Sequence, residues 1–284
     1  MDFSLVESKM LDFLDSYLQK SGLNGFVVGV SGGVDSAVVA TLCAKVAPTH
    51  ALIMPTKTSS RANMDDALAL VQKIGVKYEI INIGDILSAF NTAGVGGTAM
   101  RNGNLAARTR MSLLYDVSAR LGYLVAGTSN KTELVLGYGT LYGDLACALN
   151  PLGNLLKTDV FALARHLGVS EKIVNKAPSA DLWEGQSDEG DFGFAYADID
   201  ALIGEICAKE QAAMNDVREA VRIISNLKQY LDNSNLNSEG TENSVREVSN
   251  LKAKFDPALV DFVVNRCAAN AFKLAPLPIA KVAQ

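Results

Sequence analysis

The fold is decided by one glycine-rich stretch, Gly29-Val30-Ser31-Gly32-Gly33-Val34-Asp35-Ser36. It follows an apolar run at residues 26–30 whose β-branched character predicts a strand buried on both faces of a parallel sheet. After it, apolar residues recur at steps of three and four, the spacing of one helix face: Val38, Val39, Leu42, Cys43 and Val46. The sequence therefore predicts a buried strand, a glycine turn and a helix.

The turn has the composition of a phosphate cradle. Gly32 and Gly33 lack a Cβ atom, so the backbone can approach an anion closely while the first amides of the helix point at it. Ser31 and Ser36 add hydroxyl donors. A plain glycine turn with a helix cap is the alternative, although a cap requires only one Ser or Asp.

Asp35 is the unusual member of this stretch, because a carboxylate among phosphate donors repels the ligand unless a divalent cation lies between them. Magnesium is the expected ion, since it binds through one or two carboxylates and the phosphates themselves. The spacing excludes a Walker loop, which ends in Gly-Lys-Ser/Thr, and the G-x-G-x-x-G dinucleotide fingerprint.

Bulk properties narrow the class of protein. The chain has 284 residues, 49% of them hydrophobic, which is enough for a sizeable core. Its net charge of -5 without a basic cluster argues against a nucleic-acid surface. No apolar run reaches the roughly 20 residues of a membrane span, and no secretory signal precedes the first strand. Four scattered cysteines without a C-x-x-C pair indicate reduced thiols and a cytoplasmic location.

Strand and helix patterns alternate along the first half of the chain. Further strands are predicted at residues 50–54, 77–83, 123–126 and 147–152, with a mobile glycine-rich segment at 91–104 before a helix at 105–121. This alternation predicts an α/β fold: a doubly wound, parallel, five-stranded sheet with helices on both faces. Ligands then bind at the carboxyl ends of the strands, where the glycine turn lies.

The remainder is predicted to complete a single domain spanning residues 1–284, with a helical C-terminal part from about residue 195. That part contains a long amphipathic helix over 212–231, a flexible polar insert at about 232–244 and a last helix after Asp256-Pro257. Residues 178–193 form an acidic loop with the single tryptophan, Trp183; a solvated loop and an active-site lid are both open interpretations.

Several motifs together resemble a known family. S-G-G-x-D-S after a buried strand is similar to the signature of the N-type ATP pyrophosphatases, which cleave ATP between its α and β phosphates. Further motifs resemble those of ammonia-dependent NAD synthetases, in that family's order: Asn104 to Met111, Gly127-Thr128-Ser129-Asn130-Lys131-Thr132-Glu133, Tyr142-Gly143-Asp144, Asn150-Pro151-Leu152, Lys157-Thr158-Asp159-Val160 and Pro178-Ser179-Ala180-Asp181-Leu182.

The resemblance implies a reaction. In that family the nicotinate carboxylate of deamido-NAD attacks the α phosphate of ATP, and ammonia displaces AMP from the acyl adenylate. It also implies a homodimer, whereas the expected absence of nucleic-acid and membrane partners rests on the charge and the hydropathy described above. Asp35, Glu133 and Lys157 would be the catalytic residues, with Asp35 and Glu133 as magnesium ligands. The ATP contacts would be Gly29, Val30, Ser31, Gly32, Gly33, Val34, Asp35, Ser36, Thr128, Lys157 and Ser179, and the deamido-NAD contacts would be Arg108, Phe272 and Lys273.

Local patterns support parts of this assignment and leave alternatives. Lys157 begins a predicted helix, whose positive end disfavours a cation unless a polyphosphate binds there; a solvated surface lysine is the alternative. Glu133 is either a metal ligand or a helix-capping carboxylate. Leu141, Ala148 and Phe272 depart from the commoner family residues Lys, Asp and His, and all three belong to the dinucleotide side of the resemblance.

Rival functions differ in what they require. Only 28 residues precede the loop and no other segment is long enough for a glutamine amidase, so free ammonia is the expected nitrogen donor. Another N-type ATP pyrophosphatase amidase is one alternative. A thiolating enzyme would need a basic surface and paired cysteines. A non-catalytic adenine-nucleotide module would not need Asp35, Glu133 and Lys157 together, and a purely structural α/β protein leaves the polar loop unexplained.

Overall fold

A computed structural model describes residues 1–179, 185, 187–231 and 239–276, without the side chains of residues 239–244. The chain forms two compact units. The first comprises Met1–Asn130 and Gly139–Gly193, and the second comprises Lys131–Tyr138 and the chain from Phe194 onward. The boundary at Phe194 lies next to residue 195, where the sequence predicts that the helical part begins. The single-domain assignment stays a prediction.

The first unit contains all four strands of the described chain. Its strands are β1 (Phe26–Gly29), β2 (Thr49–Ile53), β3 (Lys77–Ile80) and β4 (Leu124–Ala126). Its helices are α1 (Phe3–Ser21), α2 (Val34–Val46), α3 (Arg61–Ile74), α4 (Gly84–Thr92), α5 (Ala99–Leu121), α7 (Lys157–His166), α8 (Glu171–Val174) and α9 (Asp188–Phe192). The alternation that the sequence predicts is confirmed.

The sheet is parallel, with the strand order β3-β2-β1-β4. Phe26 of β1 pairs with Thr49 on one side and with Leu124 on the other, so β1 is central. The predicted fifth strand at 147–152 is wrong as a strand, because this segment touches the sheet through one bridge, Ala126–Leu149. Asn150 begins a turn there, which ends the pairing after one residue.

Both faces of the sheet are covered, as the doubly wound prediction requires. Phe26 and Val28 join one core with buried residues of α1, α2, α3, α7 and α8. Val27 faces a second core with Ala106 and Val117 of α5. Helix α2 is buried on more than the single predicted stripe, because α1 and α7 pack on it from outside.

Two loop predictions need correction. The helix predicted from residue 105 begins at Ala99, where the Thr98 side chain accepts a hydrogen bond from the Arg101 amide. The glycine-rich turn before it is held by Asn102, whose Oδ1 accepts from the Gly97 amide at 3.1 Å. In the acidic loop, Ser187 caps the short helix α9, which the sequence did not predict. Asp181, Trp183 and Glu184 lie outside the described residues.

The second unit is helical in the described chain. Its helices are α6 (Lys131–Leu136), α10 (Tyr196–Cys207), α11 (Gln211–Asn215), α12 (Val217–Asn226), α13 (Lys228–Leu231), α14 (Glu239–Lys254), α15 (Pro257–Asn270) and a 3-10 turn, Ala271–Lys273. Helices α10, α12 and α15 pack on one another through fully buried side chains: Ile199, Leu202, Ile203, Ile224, Val260 and Val263.

Two predictions for this unit are wrong in part. The single helix predicted over 212–231 is divided in three. Asp216 leaves helical geometry and caps α12 through the Arg218 amide, and Leu227 separates α12 from α13. The polar insert predicted at 232–244 is helical from Glu239, in a helix anchored by buried Val248 and Leu251; residues 232–238 lie outside the described chain. The last helix after Asp256-Pro257 is confirmed. No helix in the described part has both the length and the apolarity that a membrane crossing needs.

Candidate active site

The candidate site lies in the first unit, at the carboxyl edge of the sheet. The chain runs outward from β1 to β2 and β3 and then returns to β4 on the other side of β1. The loops that follow the adjacent strands β1 and β4 therefore diverge from each other. Open α/β sheets bind their ligands between two such loops. The predicted phosphate loop follows β1, and the motif that begins at Gly127 follows β4.

Two serines brace the phosphate loop from within. Ser36 Oγ accepts from the Ser31 amide at 3.2 Å and donates to the Gly33 carbonyl at 3.0 Å. Ser31 Oγ lies 3.2 Å from Ser36 Oγ and accepts from the Gly33 amide at 3.2 Å. Gly33 is the N-cap of α2 and provides no side-chain cap, so the first amides of this helix are suited to an anion.

Gly32 can be only glycine in this conformation. Its φ is 85°, which side chains rarely adopt, and a Cβ atom would lie 2.1 Å from the Asn63 carbonyl oxygen. The loop thus turns tightly against the start of α3. The glycine turn is therefore closely packed against α3.

Asp35 and Lys157 form an ion pair at the mouth of the loop. Lys157 Nζ lies 2.5 Å from Asp35 Oδ2, and the side chains are 3% and 17% exposed. Asn130, which is fully buried after β4, donates to Asp35 Oδ1 at 2.9 Å. Three predicted motifs therefore meet at one carboxylate, and a solvated surface lysine is excluded for Lys157.

The helix dipoles favour one charge of this pair and disfavour the other. Asp35 lies in the first turn of α2, whose positive end stabilises a carboxylate. Lys157 begins α7, where the same dipole disfavours a cation. Asp35 offsets this cost in the structure, and a polyphosphate in the cradle would offset it further.

The loop after β4 is held by the segment that was expected to be a strand. Asn150 Nδ2 donates to the Ser129 carbonyl at 2.9 Å, and a Cβ on Gly127 would lie 2.6 Å from Cys147 Sγ. Burial raises the pKa of the Cys147 thiol, so this cysteine is a packing group. Thr128 lies in this loop and is half-buried. These contacts fix where Asn130 meets Asp35.

The other predicted residues of the first unit lie on α5, in the loop after β4 and in the segment after α8. Arg108 is exposed on α5, and its Nε donates to the Leu141 carbonyl at 3.3 Å. Ser179 is exposed after α8. Arg110, which received no ligand role from the sequence, donates from Nε to the Met54 carbonyl at 3.1 Å, just beyond β2. The ligand roles of Arg108, Ser179 and Thr128 stay predictions.

Three predicted residues belong to the second unit. Glu133 is half-buried on α6, which begins at Lys131. Lys273 Nζ donates to the Gly137 carbonyl at 2.7 Å, and the Phe272 side chain is 60% exposed. The magnesium role of Glu133 and the deamido-NAD roles of Phe272 and Lys273 stay predictions.

The donor set fits magnesium only as a shared ion. Across the described ranges no group of three or more His, Cys, Asp or Glu side chains could enclose a metal. Asp35 is a hard oxygen donor at the phosphate loop, and Mg²⁺ is commonly held by one or two carboxylates plus substrate phosphates. Each carboxylate oxygen retains a lone pair beyond its present hydrogen bond. Asp35 therefore suits an ion that arrives with a polyphosphate.

Sequence reasoning missed two side chains that shape this site. Asn130 belongs to the motif after β4 but received no role from the sequence, since its full burial and its hydrogen bond to Asp35 arise only in the folded chain. Lys176 Nζ donates to the Gly32 carbonyl at 3.1 Å across 144 positions of sequence, and no local pattern predicts such a contact. The amide of Asn130 and the ammonium of Lys176 are therefore two fixed groups of the site that the sequence motifs do not predict.

The fold and the loop define an α/β nucleotide-binding protein with a glycine phosphate cradle and a carboxylate at its mouth. The NAD synthase family model matches residues 6–245. The NH3-dependent NAD+ synthetase of Campylobacter jejuni strain 81-176 is 53% identical over 202 residues, which is 70% of this chain and 82% of that protein. The chain belongs to the NAD synthase family.

Two solved structures resemble the whole fold. The NH3-dependent NAD synthetase from Campylobacter jejuni NCTC 11168 has a TM-score of 0.74 at 37% identity, over 99% of this chain and 100% of that one. The NMN synthetase from Francisella tularensis has a TM-score of 0.73 at 31% identity, over 98% and 99% of the two chains. The same architecture therefore occurs with two named products.

Proposed function

We propose that this chain is an ammonia-dependent NAD synthetase, a ligase that uses ATP to amidate deamido-NAD and releases NAD, AMP and pyrophosphate. Family membership supports the activity, since relatives that match most of the chain carry this name. The main structural support for this activity is the Asp35–Lys157 pair, in which Asp35 is held by Asn130 at the end of the glycine phosphate loop.

In the proposed mechanism the protein holds the polyphosphate and keeps the inner anhydride in line with the substrate. The amides at the start of α2 and the Lys157 ammonium bind phosphate oxygens, and Asp35 would hold the magnesium ion that accompanies them. Such an ion would supply charge stabilisation for the leaving pyrophosphate. On the family resemblance, Glu133 is the proposed second carboxylate ligand.

The chemistry takes two displacements. A nicotinate carboxylate oxygen attacks the α phosphorus, and the bond to the bridging oxygen breaks with its electron pair leaving on pyrophosphate. Ammonia nitrogen then attacks the acyl carbon, the bond to the AMP oxygen breaks, and one proton is lost to give the amide. Lys157 is placed to neutralise charge that develops during the first displacement.

A homodimer and a cytoplasmic location are part of the proposal. β3 is an edge strand of the sheet and exposes Tyr78 and Ile80, two residues apart and so on one face. α4 exposes Ile86 and Phe90, four residues apart and so also on one face. Apolar side chains at an edge support a self-association surface. The four cysteines are free thiols, which supports a reducing compartment.

The experiment incubates the purified chain with ATP, Mg²⁺, deamido-NAD and ammonium chloride, and separates the products by chromatography. NAD and AMP in equal amounts are expected, with glutamine a poor donor. A parallel reaction replaces deamido-NAD by the deamidated mononucleotide, because one similar structure is an NMN synthetase. Preference for the mononucleotide, or ADP and orthophosphate as products, would overturn the proposal.

A further inference from the structure

A second lysine cluster underlies the phosphate loop and has no place in the mechanism above. Lys176 Nζ donates to the Gly32 carbonyl at 3.1 Å and to Asn63 Oδ1 at 2.8 Å, and it lies 2.5 Å from Asp66 Oδ2. The last contact is an ion pair. Lys172 lies 2.9 Å from the other oxygen of Asp66. One buried carboxylate thus anchors two lysines.

The local sequence explains this arrangement. Asn63 and Asp66 are three residues apart on α3 and so share a face of that helix. Lys172 and Lys176 are four residues apart, at and just after the short helix α8. Burial alone would raise the pKa of Asp66, but the two lysines outweigh it and hold that pKa below its ordinary value. The carboxylate is therefore charged at neutral pH.

The important partner of Lys176 is the Gly32 carbonyl, because it belongs to the peptide group between two glycines. A trans peptide is planar, so its carbonyl and its N–H point in opposite directions. With the carbonyl held by Lys176, the Gly33 N–H points the other way, where it donates to Ser31 Oγ inside the cradle. A flip of this peptide would aim a carbonyl oxygen at the phosphates.

A glycine pair makes such a flip inexpensive, since neither residue has a Cβ atom to restrict φ. We propose that Lys176, anchored by Asp66, is a positioning residue that locks the Gly32–Gly33 peptide with its N–H on the cradle side and its carbonyl oxygen directed away from the phosphates. This inference rests on the proposed function only in taking the ligand to be ATP. Lys176 acts through the loop and does not touch the nucleotide.

The structure offers a matched control, because Lys172 pairs with the same Asp66 and carries the same charge, and no described hydrogen bond or ion pair joins its side chain to the loop. Binding of ATP with Mg²⁺ is measured by calorimetry for the unaltered chain, Lys176→Met and Lys172→Met, with thermal unfolding as a check on folding. We expect Lys176→Met to weaken ATP binding about tenfold, the loss of one charge-assisted hydrogen bond. Lys172→Met is expected to bind as the unaltered chain does.

A double-mutant cycle separates peptide locking from charge attraction. Gly33 has φ -90° and ψ 162°, which alanine adopts readily, whereas the flipped peptide would need a φ that alanine disfavours. The effect of Lys176→Met on ATP affinity is therefore expected to shrink when it is measured in a Gly33→Ala background. An equal loss in both backgrounds would indicate that Lys176 acts through its charge and would overturn the proposal.

The remaining outcomes are also decisive. If Lys176→Met does not fold, Lys176→Gln takes its place in the same cycle, and the prediction for it is a loss of ATP affinity that again shrinks with Gly33→Ala. Equal ATP affinity for the Lys176 and Lys172 variants would overturn the locking role. An unaltered chain that folds but does not bind ATP would instead defeat the proposed function.

Discussion

Two lysine–aspartate pairs lie against the same phosphate loop and differ in what surrounds them. At the mouth of the loop, Lys157 contacts Asp35, whose side chain is 17% exposed and accepts a hydrogen bond from the Asn130 side-chain amide. Beneath the loop, Lys176 contacts Asp66, whose side chain is 4% exposed and also pairs with Lys172. Both Nζ to Oδ2 distances are 2.5 Å, so distance does not distinguish them.

The difference lies in which groups remain for a ligand. The Asp35–Lys157 pair has one acidic and one basic group at two helix N-termini, and each suits a part of a magnesium-bound polyphosphate. In the Asp66 cluster each carboxylate oxygen faces one lysine, so both oxygens are already paired. Lys176 also donates to the Gly32 backbone carbonyl. The first pair is built for exchange with a ligand, and the second is built to keep a shape.

The largest effect is expected at the mouth of the loop. Asp35→Asn keeps the size of the side chain and removes the charge that a metal needs. The value of kcat/KM for NAD formation should fall about a thousandfold, roughly 4 kcal/mol of transition-state stabilisation. The measurement is the steady-state rate with ammonium chloride. Lys172→Met serves as the control, and a fall of less than tenfold for Asp35→Asn would contradict the assignment.

The pair beneath the loop should respond mainly in stability. Asp66→Asn leaves two lysines facing a neutral amide, so the free energy of unfolding should fall by about 3 kcal/mol at pH 7. The pKa of Asp66 is lowered in the folded protein, so its contribution is complete above the unfolded value of about 3.9 and is lost as the pH falls further. Urea titrations of both proteins between pH 7 and pH 3 measure this.

The sign of that pH dependence is the critical feature. The stability difference between the unaltered chain and Asp66→Asn should stay constant through the neutral range and shrink at acidic pH. A difference that grows on acidification would mean that Asp66 is protonated in the folded protein at neutral pH. The two lysines would then have another role.

Lys157→Met should separate catalysis from stability. We expect kcat to fall about a hundredfold, near 2.7 kcal/mol, because a fixed cation at the phosphates is lost. The free energy of unfolding should change by no more than about 1 kcal/mol, for two reasons. Asp35 retains its hydrogen bond from Asn130 and its favourable position at the start of α2, and α7 loses a cation that its dipole disfavours. Chemical denaturation without ATP tests the second part, and a loss comparable to that of Asp66→Asn would remove the distinction.

The smallest effect is expected at Lys172. Its side chain is 66% exposed, and exposed ion pairs contribute little. Lys172→Met should change the free energy of unfolding by about 0.5 kcal/mol or less and leave kcat unchanged. A large loss of stability would show that Asp66 needs both lysines. The two members of the cluster would then be equivalent.

The parts of the fold that repeat a local pattern could be predicted from the sequence. The strand, glycine turn and helix around Gly32 were predictable because burial on both faces, φ freedom and helix spacing each leave a mark within a few residues. The start of α5 was not, since Thr98 caps a helix whose first residues include glycine and asparagine. The strand predicted at 147–152 failed because apolar composition alone cannot reveal that pairing stops after one bridge.

The site divides in the same way. Asp35 and Lys157 could be singled out because each charge conflicts with one feature of its motif. Asp35 is a carboxylate among phosphate donors, and Lys157 is a cation at a helix start. Lys176 has no such local conflict. Its role follows from a contact with Gly32 that only the folded chain creates. Residues that hold a loop from beneath are hidden from sequence reasoning for this reason.

We propose that the Asp35–Lys157 pair serves ATP cleavage at the inner anhydride, whereas the Lys176–Asp66 pair sets the shape of the loop. Exchange of labelled pyrophosphate into ATP, with deamido-NAD present and ammonia absent, isolates the first displacement. We expect exchange that requires deamido-NAD, is lost in Asp35→Asn and returns in Lys176→Met as the ATP concentration is raised. Exchange that persists in Asp35→Asn, or that does not depend on deamido-NAD, would contradict it.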